Sequence, residues 1–359
     1  MKNLLMLTSL CLSIVSQAQN SYTYSVPEKL DDGWSTANWL DYAQDTSRLY
    51  HLFSQLHSGG NKLHSVLVVK NDQLILEEYL NGQTADEPHD LRSATKSIRA
   101  LLMGIAIDQG FVESVDDPIE KYLSQRPQKN LDSRKSEITI RHLLTMSPGW
   151  DCNDWNKKSK GQEDKVYRKS DWIQHTLDLP MINDPGTVSN YCSMGAILVA
   201  EIISQSSSMS IDAFAKKYLF DPMNITNYNW GHTSNKEVIP SGKRLYMTSR
   251  DFAKIGLLTL NQGKWNGQQL VSSDWIREMT TTKTQISGMD YGYFWWSIPL
   301  EADDQTYIAQ TATGNGGQYL MLFPELDLVL VFTGGAYNSQ EDKLPFMIAS
   351  KVILPALGD

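Results

Sequence analysis

Ser93 stands three residues before Lys96 in LRSATKSIRALLMGIAIDQGF (91–111), where an apolar helical pattern begins. Side chains three apart share one face of a helix, so the hydroxyl and the ammonium can approach each other. A hydroxyl at a helix N-terminus sits among unpaired backbone N–H groups at the positive end of the dipole, surroundings that favour an oxyanion. The neighbouring amine can assist removal of the hydroxyl proton. That is the chemistry of nucleophilic acyl transfer. A serine helix cap followed by a solvated lysine has the same spacing, so the pair alone leaves both readings open.

Two further segments carry chemistry of the same kind. In DPGTVSNYCSMGAILVAEII (184–203), Pro185-Gly186 makes a turn and a helix begins near Gly195, just after Tyr191, Cys192 and Ser193. A phenol brought beside Ser93 and Lys96 could serve as general base; in isolation Tyr191 reads equally well as a loop tyrosine packing its ring. In TGNGGQYLMLF (313–323), Gly316 and Gly317 open a strand and leave room for a substrate at its edge. The backbone N–H of Gln318 would then join that of Ser93 as a second oxyanion donor, the other reading being an ordinary glycine-rich turn.

Elements from both ends of the chain must position these segments. Apolar spacing predicts one amphipathic helix over 38–56, and SVLVVKNDQLILEEYLNG predicts a hairpin of strands Ser65–Lys70 and Gln73–Leu80 around Asn71-Asp72. Ile98, Leu101, Leu102, Ile105 and Ile107 mark a helix from Thr95 that stops at Gly110. From about 115 to 230, short helical patterns alternate with Pro, Gly, Asn and Asp, with ITIRHLLTM and MGAILVAEIISQ the clearest helices. Helices near Arg250–Asn261 and Ser273–Met279 follow, separated by a turn at Asn266-Gly267. YGYFWWSI then alternates like a strand, and GGQYLMLFPELDLVLVFTGG reads as two strands across Pro324–Asp327, before a closing helix over 340–355. The expected fold is α/β of the α+β kind: an antiparallel sheet flanked by helices, with an all-helical lobe inserted at about 115–230.

Taken together, Ser93-Ala94-Thr95-Lys96, the Pro-Gly-Thr run leading to Tyr191-Cys192-Ser193, and Asn315-Gly316-Gly317-Gln318 resemble the three ordered motifs of the serine β-lactamase and penicillin-binding superfamily. The resemblance is closest to the class C-like branch, which also holds esterases, D-amino-acid peptidases and 6-aminohexanoate-dimer hydrolases. VDDPIEKYL, ITIRHLLTMSPG and SRDFAKIGLLTLNQGKWNG extend it over residues 62–355. It implies a β-lactamase/transpeptidase-like fold, Ser93 as the acylated nucleophile, Lys96 as its proton-handling partner and Tyr191 as the base. Ser193, Asn315, Gly316 and Gly317 fall at substrate-binding positions. Ser193 stands where the family often has Asn, whose expected partner is the lysine or the substrate. Asn315 replaces the Lys of β-lactamases and the His of many esterase and peptidase relatives, so a cation that would pair with a substrate carboxylate is missing there. The leading expectation is a serine hydrolase of small esters or amides. A D,D-peptidase or β-lactamase acting on peptidoglycan-like substrates, and a catalytically inactive binding or sensor protein, are the alternatives.

Whole-chain properties narrow the setting. With 359 residues, 41% of them hydrophobic, the chain can bury a large core, and the formal charge of −9 without a long basic run argues against nucleic-acid binding. The start MKNLLMLTSLCLSIVSQAQN has the pattern of a secretory leader cleaved after Ala18, leaving a lead and helix over 19–61, the main domain and a short tail at 356–359. That predicts a periplasmic or secreted protein with no stable membrane span. Cys11 would leave with the leader, so Cys152 and Cys192 remain, either as one disulfide or as two buried thiols. No C-x-x-C or H-E-x-x-H occurs, so no metal or other cofactor is expected, and the partner is a small ester, amide or peptide substrate. Nothing in the pattern indicates an oligomeric state. Trp150, Trp155, Trp295 and Trp296 are aromatic candidates for a cleft, and His142 for a structural hydrogen bond.

Overall fold

The computed structural model describes residues 22–43, 46–126, 129–232 and 238–358. The expected leader, residues 1–18, lies outside them.

Strict alternation builds the sheet. In Gln318–Phe323 and Leu328–Gly334, the residues Tyr319, Met321, Phe323, Leu328, Leu330 and Phe332 enter one core, while Leu320, Leu322, Val329 and Val331 enter the other. A strand that buries both faces in this way must run through the middle of the molecule. It does: the nine strands follow the order Ser35–Thr36, Gln73–Tyr79, Leu63–Lys70, Leu328–Gly334, Gln318–Phe323, Gln305–Gly314, Trp296–Ala302, Met289–Tyr291, Thr284–Ile286. Every pairing is antiparallel except the short Ser35–Thr36, which runs parallel to Gln73 and Leu74. Asn71 and Asp72 both take positive φ, 48° and 63°, as the two central residues of a type I′ hairpin require.

The helix Ser47–His57 and the C-terminal helical residues Leu344–Ile348 and Leu354–Leu357 cover one face. The other face carries Thr95–Asp108, Ser249–Leu260 and the helical lobe. Within the lobe, Ser193–Ser207 is buried from Ser193 through Ile203, and Thr95–Asp108 is buried from Thr95 through Ala106. Helices enclosed on all sides cannot shift without breaking packing, which makes them rigid mounts for what stands at their ends.

Two local expectations are corrected. The helix over 38–56 is instead a 3-10 turn, Trp39–Asp41, followed by Ser47–His57. Asn38 caps that turn by accepting from the Leu40 N–H, and Trp39 fills the core beneath it, so the periodicity spans two elements that share one core. YGYFWWSI is not one strand: Met289–Tyr291 and Trp296–Ala302 pair with each other through a turn in which Phe294 has φ 60°. The ten-residue strand Gln305–Gly314 was not anticipated, because Thr and Gln mask the alternation of buried Tyr307, Ala309 and Thr311 with more exposed neighbours. A small sheet of His89–Asp90, Arg244–Met247 and Tyr228–Gly231 also went unread, its strands being two to four residues long.

His64 of the large sheet and His89 of the small one share a hydrogen bond, Nδ1 to Nε2, of 2.7 Å. A single proton suits that bond, and protonating both rings would set two cations in contact. Burial, then the facing His64, lowers His89 from 6.5 to about 4, and burial lowers His64 as well. The unfolded chain therefore binds more protons between these values, so the contribution to stability is complete above pH 6.5 and is lost as pH falls toward 4. His89→Gln should flatten the decline of Tm between neutral and acid pH in scanning calorimetry; an unaltered slope would assign that decline to other groups.

Candidate active site

Ser93 lies in the 3-10 turn Arg92–Ala94 that leads into the helix Thr95–Asp108. Asp90 fixes the approach: its Oδ1 accepts from the Arg92 N–H at 2.9 Å, holding Arg92 at a left-handed φ of 51°. The helix start is tied on two further sides. Thr95 Oγ1 accepts from the Leu245 N–H at 3.1 Å, and Ser97 donates to the Phe294 carbonyl at 2.6 Å. From this mount the Lys96 ammonium donates to Ser93 Oγ at 2.8 Å, with Lys96 itself 6% exposed.

Tyr191 comes from the lobe. Its ring centre lies 4.9 Å from Lys96 Nζ, a cation–π contact. The ring also stacks on Trp155 (5.1 Å, 4°) and on Trp296 (6.0 Å, 21°). Trp155 and Trp296 thus belong to the site, whereas Trp150 and Trp295 are core residues and His142 forms a capping box with Thr139.

The loop bearing Tyr191 is pinned to residues 152–154. A disulfide joins Cys152 to Cys192, Tyr191 O accepts from the Asp154 N–H at 2.8 Å, and Asp154 Oδ2 accepts from the Ser193 N–H at 2.7 Å. Ser193 does not turn toward Lys96. Its hydroxyl donates to Glu163 Oε2 at 3.2 Å, which also accepts from the Tyr167 hydroxyl at 3.1 Å. Burial and the adjacent Glu163 push Asp154 up to about 6 against the pull of Lys96. Asp154, in a turn, and Glu163, the first residue of the short helix Glu163–Val166, belong to no sequence motif and matter only through what folding sets beside them.

The third motif faces Ser93 across a close backbone contact. A Cβ on Gly314 would stand 2.3 Å from the Leu91 carbonyl oxygen, so only glycine lets this strand lie against the loop that carries the nucleophile. Asn315 and Asn338 hold each other, Asn315 Nδ2 to Asn338 Oδ1 at 2.8 Å and the Asn338 N–H to Asn315 Oδ1 at 2.9 Å. Gly316 is corrected: the room left by its missing side chain is taken by the Tyr337 ring, 2.4 Å from where a Cβ would stand, and not left to a substrate. Gln318 is buried at the head of its strand, and its side chain binds the Asn315 and Gly334 carbonyls and the Gly334 N–H.

Ser93 lies where two cavities meet. An open groove of about 690 Å³ is lined by Ser93, Tyr191 and Asn315 and has an apolar wall that includes Trp155, Trp296 and Phe346. A smaller polar chamber of about 290 Å³ also reaches Ser93, together with Lys96, Arg99, Glu163, Ser193 and Arg244. Gly316, Gly317 and Gln318 line neither. A hydroxyl bonded to an ammonium, at the mouth of a groove that can hold an apolar group, suits attack on a carbonyl carbon.

The sequence profile of the Beta-lactamase family matches residues 58–344. The chain belongs to the Beta-lactamase family. Within the family, the 6-aminohexanoate-dimer hydrolase of Paenarthrobacter ureafaciens is 22% identical over 286 residues, covering 74% of this chain and 70% of that protein. Among solved structures, the fold is similar to EstCE1, a hydrolase with promiscuous acyltransferase activity (TM-score 0.68, 14% identity, 84% and 97% of the two chains). It is also similar to a penicillin-binding protein from Bacillus halodurans (TM-score 0.62, 15% identity, 80% and 96%).

The Cys152–Cys192 link closes a separation of 40 residues in this family member. On the chain-entropy relation, that closure stabilises by about 4 kcal/mol. A Cys152→Ser/Cys192→Ser double variant should melt lower than the oxidised protein. It should also lose turnover below its own Tm, because Tyr191 is one residue from the anchor. Equal Tm values would show that the loop is held without it.

Proposed function

We propose that this Beta-lactamase-family protein is an exported serine hydrolase that cleaves a small ester or amide through an acyl-Ser93 intermediate. The observation that carries the reading is the 2.8 Å Lys96–Ser93 hydrogen bond, with Tyr191 packed against the same ammonium. Ser93 Oγ attacks the carbonyl carbon while its proton passes to the Lys96–Tyr191 pair, which enters the step holding one proton fewer than an ammonium and a phenol together and then gives the proton to the departing alkoxide or amine. Water then adds to the acyl-enzyme by the same proton route, releasing the acid and restoring Ser93. The backbone N–H groups of Ser93 and Gln318 are the proposed donors to the oxyanion.

The apolar wall of the groove supports esters and amides with an apolar portion. Asn315 favours them over penicillins and D-alanyl termini, since its amide is engaged with Asn338 and brings no charge to meet a carboxylate at that position. Export to the periplasm or beyond is supported by the leader-like start and by a disulfide in the folded chain.

Incubation with a fluorophosphonate or an activated ester should add one label to the intact mass, and Ser93→Ala should abolish both the label and turnover. Labelling of the variant equal to that of the wild type would place the nucleophile elsewhere.

A further inference from the structure

Arg99 is a buried cation with no carboxylate partner among the described residues. It is 4% exposed, one turn along the helix from Thr95 and on the wall of the small chamber. Its Nη2 donates to the Ser241 and Lys243 carbonyls at 2.8 and 2.7 Å, and its Nε finds no hydrogen-bond partner among the described residues. Burial holds this guanidinium down at about 10, and the nearby Arg244 adds to the effect.

The other charges at the chamber equal one another in number, Arg92, Lys96 and Arg244 against Asp90, Glu163 and Asp164. Asp90 takes both Arg92 (3.1 Å) and Arg244 (3.0 Å). Glu163 is committed to Ser193 and Tyr167, Asp164 accepts from Gln162, and Lys96 is turned to Ser93. A buried guanidinium facing a cavity is destabilised by its lost hydration unless an anion offsets it. The cavity, at about 290 Å³, is near the lower bound for small-molecule sites.

We propose that this chamber is a carboxylate subsite: the short half of the substrate that enters it carries a free carboxylate, which Arg99 takes as its counter-charge, while the apolar half lies in the groove. The inference rests on the acyl-Ser93 reading and narrows its substrates to half-esters or half-amides of short dicarboxylic acids. Their carboxylate is met in the chamber by Arg99, whereas Asn315, which lines both cavities, offers no charge.

Hydrolysis of 4-nitrophenyl hemiglutarate, compared with its neutral methyl-capped counterpart, tests it on the full-length protein. In acylation the bond from Ser93 Oγ to the carbonyl carbon forms, the acyl C–O bond to the aryloxy group breaks, and 4-nitrophenol leaves with the proton. The wild type should prefer the anionic ester by about tenfold or more in kcat/KM, mainly through KM, and Arg99→Gln should bring that ratio close to one. A wild-type ratio of about one or less, or an undiminished ratio in Arg99→Gln, overturns the subsite.

Should Arg99→Gln not fold, glutarate must slow fluorophosphonate labelling of wild-type Ser93 where dimethyl glutarate does not; equal protection by both overturns the proposal. Failure of any Ser93 adduct to form removes the acyl-serine reading and the subsite with it, whereas an adduct without charge preference removes the subsite alone.

Discussion

The hydrogen bond from the Lys96 ammonium to Ser93 Oγ is the contact around which the other arrangements fall into place. An ammonium this well enclosed must be compensated, and the structure does so with the Tyr191 ring on one side and the Asp154 and Glu163 carboxylates nearby. Those groups come from loops, and loops hold position poorly unless tied down. The ties are a disulfide at Cys192, the Asp154 carboxylate receiving the Ser193 N–H, and the packing of Tyr191 against Trp155 and Trp296. Behind Lys96 lies a helix with no exposed face for three turns, which leaves the pair no freedom to drift.

The departures from the commonest family pattern fit one another. With Ser in place of Asn at 193, the side chain bonds to Glu163, and both residues line the small chamber. With Asn in place of a cation at 315, the third motif is closed by a neutral pair with Asn338. Positive charge near Ser93 comes instead from Arg92, Arg99 and Arg244, on the wall of the small chamber that Asn315 also lines.

Much of the fold was legible because it is written in local periodicity. The Leu63–Lys70 hairpin, the Thr95 helix and the two strands flanking Pro324–Asp327 all bury regular apolar positions. Gln305–Gly314 was hidden because its burial uses Thr, Ala and Gly, whose chemistry does not declare a buried face. The site divides in the same way. Ser93 and Lys96 are visible as neighbours on one helix, and their family motifs point to Tyr191 and Asn315. Asp154, Glu163 and Arg99 carry no motif, and their role arises only where distant segments meet. Gly316 shows the reverse: its type suggested open space, and the space belongs to Tyr337.

The central pairing of the sheet joins Val331 to Leu67 and Val329 to Val69, residues from opposite ends of the chain. Bridging so long an intervening segment has a large entropic cost before any contact rewards it, and such topologies assemble slowly. A chain made from its N-terminus therefore carries Ser93 and Lys96 well before the strand that completes their surroundings exists. The Ser93–Lys96 pair is enclosed only when the final strands arrive.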